Sequence, residues 1–184
     1  MNRARDEGDA DPGTGAPSPC APAASAGASP QGCPAPAAWQ FDSHVEEAHE
    51  AAARVREYCD LLGYCEVERP RIELCVYEAF VNAVEHAYGN RSGLPVGLRV
   101  AVEDRQLVVR VCQRGVALDP ARVAAAPSGF DDLPLDLGAG DGVPIPEDRG
   151  RGLRIIKLIM DQCAVAVDGH WHCLVMRLSL PEEE

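Results

Sequence analysis

Three side chains in the segment Tyr77-Glu78-Ala79-Phe80-Val81-Asn82-Ala83-Val84-Glu85-His86-Ala87-Tyr88 could do chemistry together. Glu78, Asn82 and His86 recur every fourth residue, a spacing that stacks them along one face of a helix. A carboxylate, an amide and an imidazole in a row are costly to bury without a purpose. Glu78 could accept a proton, and the amide oxygen of Asn82 could bind a hard cation such as Mg²⁺. Farther along, Gly150-Arg151-Gly152-Leu153 opens an apolar helical run. Glycines at a helix start leave backbone N–H groups free, which is a seat for phosphate. Arg149 and Arg151 flank that seat and could reach phosphate oxygens.

Each residue also has a plainer reading. An isolated Glu78 would be a solvated helix residue, and Gly150 with Gly152 an ordinary loop. Arg149 and Arg151 fit solvated loop charges equally well, and His86 fits a structural histidine better than a reacting one. Asn82 is harder to dismiss, because asparagine in mid-helix is locally unfavourable. His170 and His172 alternate beside Trp171, but no third metal ligand lies near them in sequence.

The elements that must position these groups follow from periodicity. Trp39 and Phe41 alternate with Gln40 as a short strand, and Ser43-x-x-Glu46 matches a capping box. Val45, Ala48, Ala52, Val55, Cys59 and Leu62 then recur at helical spacing up to Gly63. A second helix, with Pro70 in its first turn, turns Ile72, Cys75, Val76, Ala79, Phe80 and Ala83 toward a core and stops at Gly89-Asn90. Val96 to Val102 and Leu107 to Val111 alternate as two strands around a turn at Asp104-Arg105. Arg99, Glu103 and Arg110 fall on the opposite parity, so helices are expected on one face of the sheet only. From Asp119 to Arg149 no periodicity survives, and so long an irregular stretch predicts a lid or an insertion. A helix over Leu153–Asp161 and two strands about a turn at Asp168-Gly169 complete the chain. The order predicts an α/β two-layer sandwich with a mixed, largely antiparallel sheet.

The chain has 184 residues and a net charge of −12, which suits one domain plus a tail and argues against nucleic acid as a partner. Residues 1–38 are rich in Ala, Pro, Gly and Ser and are expected to be disordered; residues 39–181 form the domain, with its lid at about 119–149. No apolar run suits a membrane span and no signal peptide is evident, so a cytoplasmic protein is expected. The eight cysteines show no Cys-x-x-Cys spacing, and Cys163 and Cys173 would point to opposite sheet faces. Reduced thiols are expected rather than disulfides or a zinc site.

Glu78-x-x-x-Asn82-Ala83 with His86-Ala87-Tyr88, and Gly150-Arg151-Gly152-Leu153 running to Met160-Asp161, resemble the N box and glycine-rich box of the GHKL ATPases. That superfamily includes DNA gyrase, MutL and the histidine-kinase ATP domains. The nearest resemblance is to bacterial anti-sigma-factor serine kinases of the RsbW type, over roughly residues 39–181. The resemblance implies ATP and Mg²⁺ as cofactors, Glu78 as the catalytic base, Asn82 as the Mg²⁺ ligand, and phosphate held around Arg149, Gly150, Arg151, Gly152 and Leu153. It implies a Bergerat-type fold and an ATP-dependent kinase that phosphorylates an anti-sigma-factor antagonist on Ser or Thr and sequesters a sigma factor. A homodimer stays open. Gln113-Arg114-Gly115 departs from the family's Asp-x-Gly, whose Asp accepts from the adenine amino group. Gln113 continues the inward alternation and could accept without charge, so a regulatory module with little catalysis is the alternative.

Overall fold

The computed structural model describes residues 33–127 and 151–181. Among them, five strands form one sheet in the order β1-β2-β3-β5-β4: β1 Ala37–Asp42, β2 Pro95–Glu103, β3 Gln106–Gln113, β4 Gln162–Asp168 and β5 Trp171–Ser179. Every neighbouring pair is antiparallel, so the expected largely antiparallel sheet contains no parallel pair among the described strands. Helices α1 (Glu47–Leu61), α2 (Glu68–Asn82) and α4 (Arg151–Ile159) accompany the sheet, and a short α3 (Pro120–Ala125) follows β3.

The predicted parities build the core. Leu107, Val109 and Val111 of β3 join Leu98 and Val100 of β2 and the buried stripe Ile72, Cys75, Val76, Ala79 and Phe80 of α2. The stripe positions three and four apart face the sheet and drive the helix onto it, each fully buried large side chain contributing ~1.5–3 kcal/mol. Gly63 ends α1 in the left-handed region at φ 77°, with Tyr64 N–H donating to Cys59 and Gly63 N–H to Asp60. That pair of bonds closes the last carbonyls of the helix. Asp104 and Arg105, both at positive φ, make the tight β2–β3 turn where it is expected.

Several expectations change. Ser43 does not cap α1; its hydroxyl donates to Arg91 O at 2.6 Å and accepts from Leu94 N–H, tying the approach to β2 instead. The β4–β5 turn lies one residue later than expected, at Gly169-His170, with Asp168 paired to Trp171. Residues 33–38 are part of the fold rather than of a tail: Cys33 and Ala37 pack against the core, and Tyr58 donates to Pro34 O. The expected disorder of the remaining residues, 1–32, lies outside the described residues.

The expectation of reduced thiols throughout is overturned at one pair. Cys112 of β3 and Cys173 of β5 form a disulfide, with Cα atoms 4.0 Å apart. They stand directly opposite each other in the β3–β5 register. Directly opposed residues in an antiparallel ladder already bring their Cα atoms to about 4.5–5.5 Å, within reach of a bridge. A sequence separation of 61 gave no local spacing to reveal the pair.

The sheet face turned away from the described helices is not bare. Glu103 accepts from Arg110 at 2.9 Å and from Arg177 at 3.3 Å, and Arg99 reaches Asp168 at 3.1 Å. Beneath these groups Val108, Cys112, Trp171, Cys173 and Val175 form a second small apolar cluster, with Arg114 lying over the Trp171 ring at 4.2 Å.

Candidate functional site

The helix carrying Glu78 and Asn82 does not run on regularly to His86. After Asn82 the chain takes a π-helical turn over Ala83–Ala87, with Tyr88 N–H donating to Ala83 O and Asn90 N–H to Val84 O. The regular i, i+4 spacing holds for Glu78 and Asn82, and the π-helical turn loosens it at His86, which is exposed and lines the same cavity as Asn82. Such turns cluster at functional sites, where they re-aim a side chain.

Beside that turn is a cavity of about 130 Å³. Asn82, His86, Gln113, Asp119, Arg122 and His172 bring polar groups to it, and Ala79, Val111, Leu118, Val165 and Leu174 supply apolar walls. The mixture of apolar wall and a few polar groups suits a heterocycle with a charged tail.

At one end of the site α4 presses on α2. A Cβ added to Gly152 would lie 2.6 Å from Glu78 Oε2, 3.1 Å from Asn82 Nδ2 and 3.4 Å from Glu78 Cβ. Only glycine lets the first turn of α4 approach this closely, so Glu78, Asn82 and a helix N-terminus meet in one place. Burial pushes the Glu78 carboxyl above its usual range; the charge of Arg151 opposes that shift and Glu85 adds to it. Asn82 Nδ2 is buried without a hydrogen-bond partner. A half-turn of the amide offers its oxygen at the same spot, so the residue can meet either a phosphate oxygen or a cation. Leu153 is part of the core rather than of the ligand surface. Arg149 and Gly150 lie outside the described residues.

The other end is closed on itself. Gln113 is only 5% exposed, as its inward parity requires. Its Nε2 donates to Val116 O at 2.9 Å, and its Oε1 accepts from Gly115 N–H. Gly115 in turn lies so close to the Ala87 carbonyl that a Cβ would overlap it, and Val116 N–H donates to Ala87 O at 2.9 Å. Tyr88 completes the brace, accepting from Arg114 N–H and donating to Pro95 O.

Asp119 caps α3 by accepting from Ala121 N–H at 2.8 Å, with Pro120 in the first turn. The stretch expected to lack structure from Asp119 onward therefore begins with a helix, and residues 128–150 lie outside the described residues. Sequence reasoning missed Arg122 and His172 as cavity residues. A signal for the first existed: Asp followed by Pro is a helix start. Nothing local marks His172, which reaches the cavity through the pairing that sets it opposite Gln113.

With this geometry in view, the comparisons with known proteins converge. A sequence family described as a histidine kinase-like ATPase domain matches residues 41–178. An anti-sigma F factor of Pasteuria penetrans is 35% identical over 127 residues, covering 68% of this chain and 77% of that protein. An anti-sigma F factor of Clostridium acetobutylicum is 28% identical over 126 residues, covering 64% and 87%. The fold is similar to that of the RsbU and RsbW domains of Rv1364c from Mycobacterium tuberculosis, with a TM-score of 0.53 at 16% identity. That match covers 82% of this chain and 34% of the longer one, so the chain spans about a third of that protein. The segment that matches the family includes the α2–α4 contact and the Gln113–Gly115 turn, and the chain belongs to the histidine kinase-like ATPase domain family.

Proposed function

We propose that this chain is an ATP-binding anti-sigma factor that phosphorylates an antagonist protein on Ser or Thr. The observation that carries the reading is the contact of Gly152 with Glu78 and Asn82, which brings a carboxylate, an unpartnered amide and a helix N-terminus together. The names of the two anti-sigma F factor relatives support a sigma factor as partner, and the antagonist is the substrate that the kinase reading adds. On this reading the protein works in the cytoplasm, where a sigma factor acts, and the nucleotide-binding domain over residues 39–181, extended at its start by the packed residues 33–38, carries a lid at about 119–149.

In this reading the apolar walls around Val111, Leu118 and Leu174 take the base, and the phosphates run toward Asn82 and the first turn of α4. Among the described residues no three His, Cys, Asp or Glu side chains converge on a metal. One amide suits Mg²⁺, which is commonly held by one or two protein groups plus substrate phosphates and water. Mg²⁺ there would screen the phosphate charge. Glu78 takes the proton of the substrate hydroxyl, and its partly desolvated setting makes it a stronger base than a free carboxylate. The backbone N–H groups at the start of α4 stabilise charge on the phosphates.

A second reading, a regulatory module with little catalysis, is favoured by Gln113, whose amide is engaged within its own turn. Calorimetry with ATP separates the two. The kinase reading expects binding that strengthens with Mg²⁺, and loss of that metal dependence in Asn82→Ala. A wild type indifferent to ATP hands the case to the regulatory module.

A further inference from the structure

Lys157 lies in the last turn of α4 and has no role in the site so far described. Its ammonium donates to Val123 O at 3.1 Å, Ala124 O at 3.0 Å and Ala126 O at 2.6 Å. Those carbonyls form the C-terminal end of α3 and its cap. An ammonium has three N–H donors, and all three are used here. A cation at a helix C-terminus also meets the negative end of the helix dipole.

The target is a helix that needs support. At six residues α3 is far shorter than the ~12–15 residues an isolated helix requires. Among the described residues it is held by the Asp119 cap at its start, buried Val123 in its middle and Lys157 at its end. Asp119 and Arg122, at the start and on the body of α3, line the cavity. The other end of α4 touches Glu78 and Asn82 through Gly152. From Gly152 to Lys157 is five residues, roughly 7.5 Å of rigid helix. One short rod thus meets the carboxylate–amide pair at one end and the cavity rim at the other.

We propose that Lys157 is a positioning residue for nucleotide binding: by gathering the last carbonyls of α3 it holds Arg122 at the cavity mouth. The role rests on the nucleotide reading of the cavity, in which Arg122 supplies a cation to a polyanionic ligand. Lys157 does not touch the ligand and acts only through α3.

Two measurements on the full chain test it. Without nucleotide, hydrogen exchange at the α3 amides should quicken in Lys157→Met, be largely restored in Lys157→Arg, and leave the core strands unchanged. With nucleotide, Lys157→Met should weaken ATP binding about tenfold, the scale of hydrogen bonds to a charged group. In an Arg122→Ala background the same substitution should change affinity less than about twofold, because coupled residues are not additive. A lysine that merely stabilised the fold would lower affinity equally in both backgrounds. Should Lys157→Met fail to fold, Lys157→Gln, which keeps a donor without the charge, carries the same cycle. Unchanged α3 exchange overturns the anchor, and additive losses overturn its action through Arg122. A wild type that binds no nucleotide, with α3 exchange responding as expected, overturns the reading of the cavity and the functional role with it, while leaving the anchor in place.

Discussion

The α2–α4 contact and the Gln113 turn, which meet the cavity through Asn82 and Gln113, differ in what they leave available. At the α2–α4 end, Asn82 Nδ2 has no partner, Glu78 is held with a raised pKa, and Gly152 lets the start of α4 close on both. At the Gln113 end, both halves of the amide are bonded to the residue's own turn, and Gly115 is pressed on the Ala87 backbone. One end reserves hydrogen-bonding capacity; the other has spent it on its own shape. A buried polar group left open is costly unless something arrives to satisfy it. Affinity and chemistry should therefore come from the first end, and the second should act as a rigid wall.

The sharpest test of that contrast is Glu78→Gln, which keeps shape and removes the base. Phosphoryl transfer to the antagonist should fall by roughly a hundredfold or more, with ATP affinity nearly unchanged. In the wild type, transfer should decline as pH falls through a midpoint above the ordinary carboxylate range, because the raised carboxyl takes up its proton early. That acid limb should vanish in Glu78→Gln. The stability effect has the opposite sense: a raised carboxyl favours the fold below its unfolded pKa and loses that contribution as pH rises through the folded value. A transfer rate unmoved by the substitution would leave Glu78 without a role as base.

The two glycines sharpen the comparison further. Gly152→Ala meets the movable end of the Glu78 side chain, so the fold should survive while ATP binding weakens by about tenfold, near 1.4 kcal/mol. Gly115→Ala meets a backbone carbonyl that cannot step aside, so it should cost about 1–3 kcal/mol of stability, read from denaturant titration. If both substitutions affected stability alone, the α2–α4 end would be no more open than the other.

The smallest effect is expected at Gln113. Aspartate there can still accept from Gly115 N–H, gives up the donation to Val116 O, and leaves a charged oxygen toward the cavity. Gln113→Asp should tighten ATP binding by about 1 kcal/mol in a calorimetric titration. Weaker binding would mean that the closed turn, and not its spare acceptor, is what the ligand needs.

The fold was largely legible because its signals are local. Alternation along β2 and β3, the helical stripe from Ile72 to Phe80, and the turns at Gly63 and Asp104-Arg105 each lie within a short window. What could not be seen depends on distant partners. Cys112 meets Cys173 and Gln113 meets His172 only once β3 pairs with β5. Ser43 looked like a cap because its spacing to Glu46 is that of one, yet a carbonyl 48 residues away competes for its hydroxyl. The Glu78–Asn82 pair was legible at helical spacing, but the π-helical turn that contains His86 carries no local mark. Lys157 was overlooked for a similar reason: its three acceptors lie more than 30 residues back along the chain.

The π-helical turn also constrains how this chain can change in length. It holds one residue more than a regular helix would use over the same rise. Removing a residue between Ala83 and Ala87 would let the helix continue without interruption and rotate all that follows by roughly 100°. The carbonyl of Ala87 would then swing away from Val116, and Tyr88 from Arg114 and Pro95. Substitutions within the turn alter single contacts, whereas a one-residue deletion there would uncouple the helix from the wall of the cavity at a stroke.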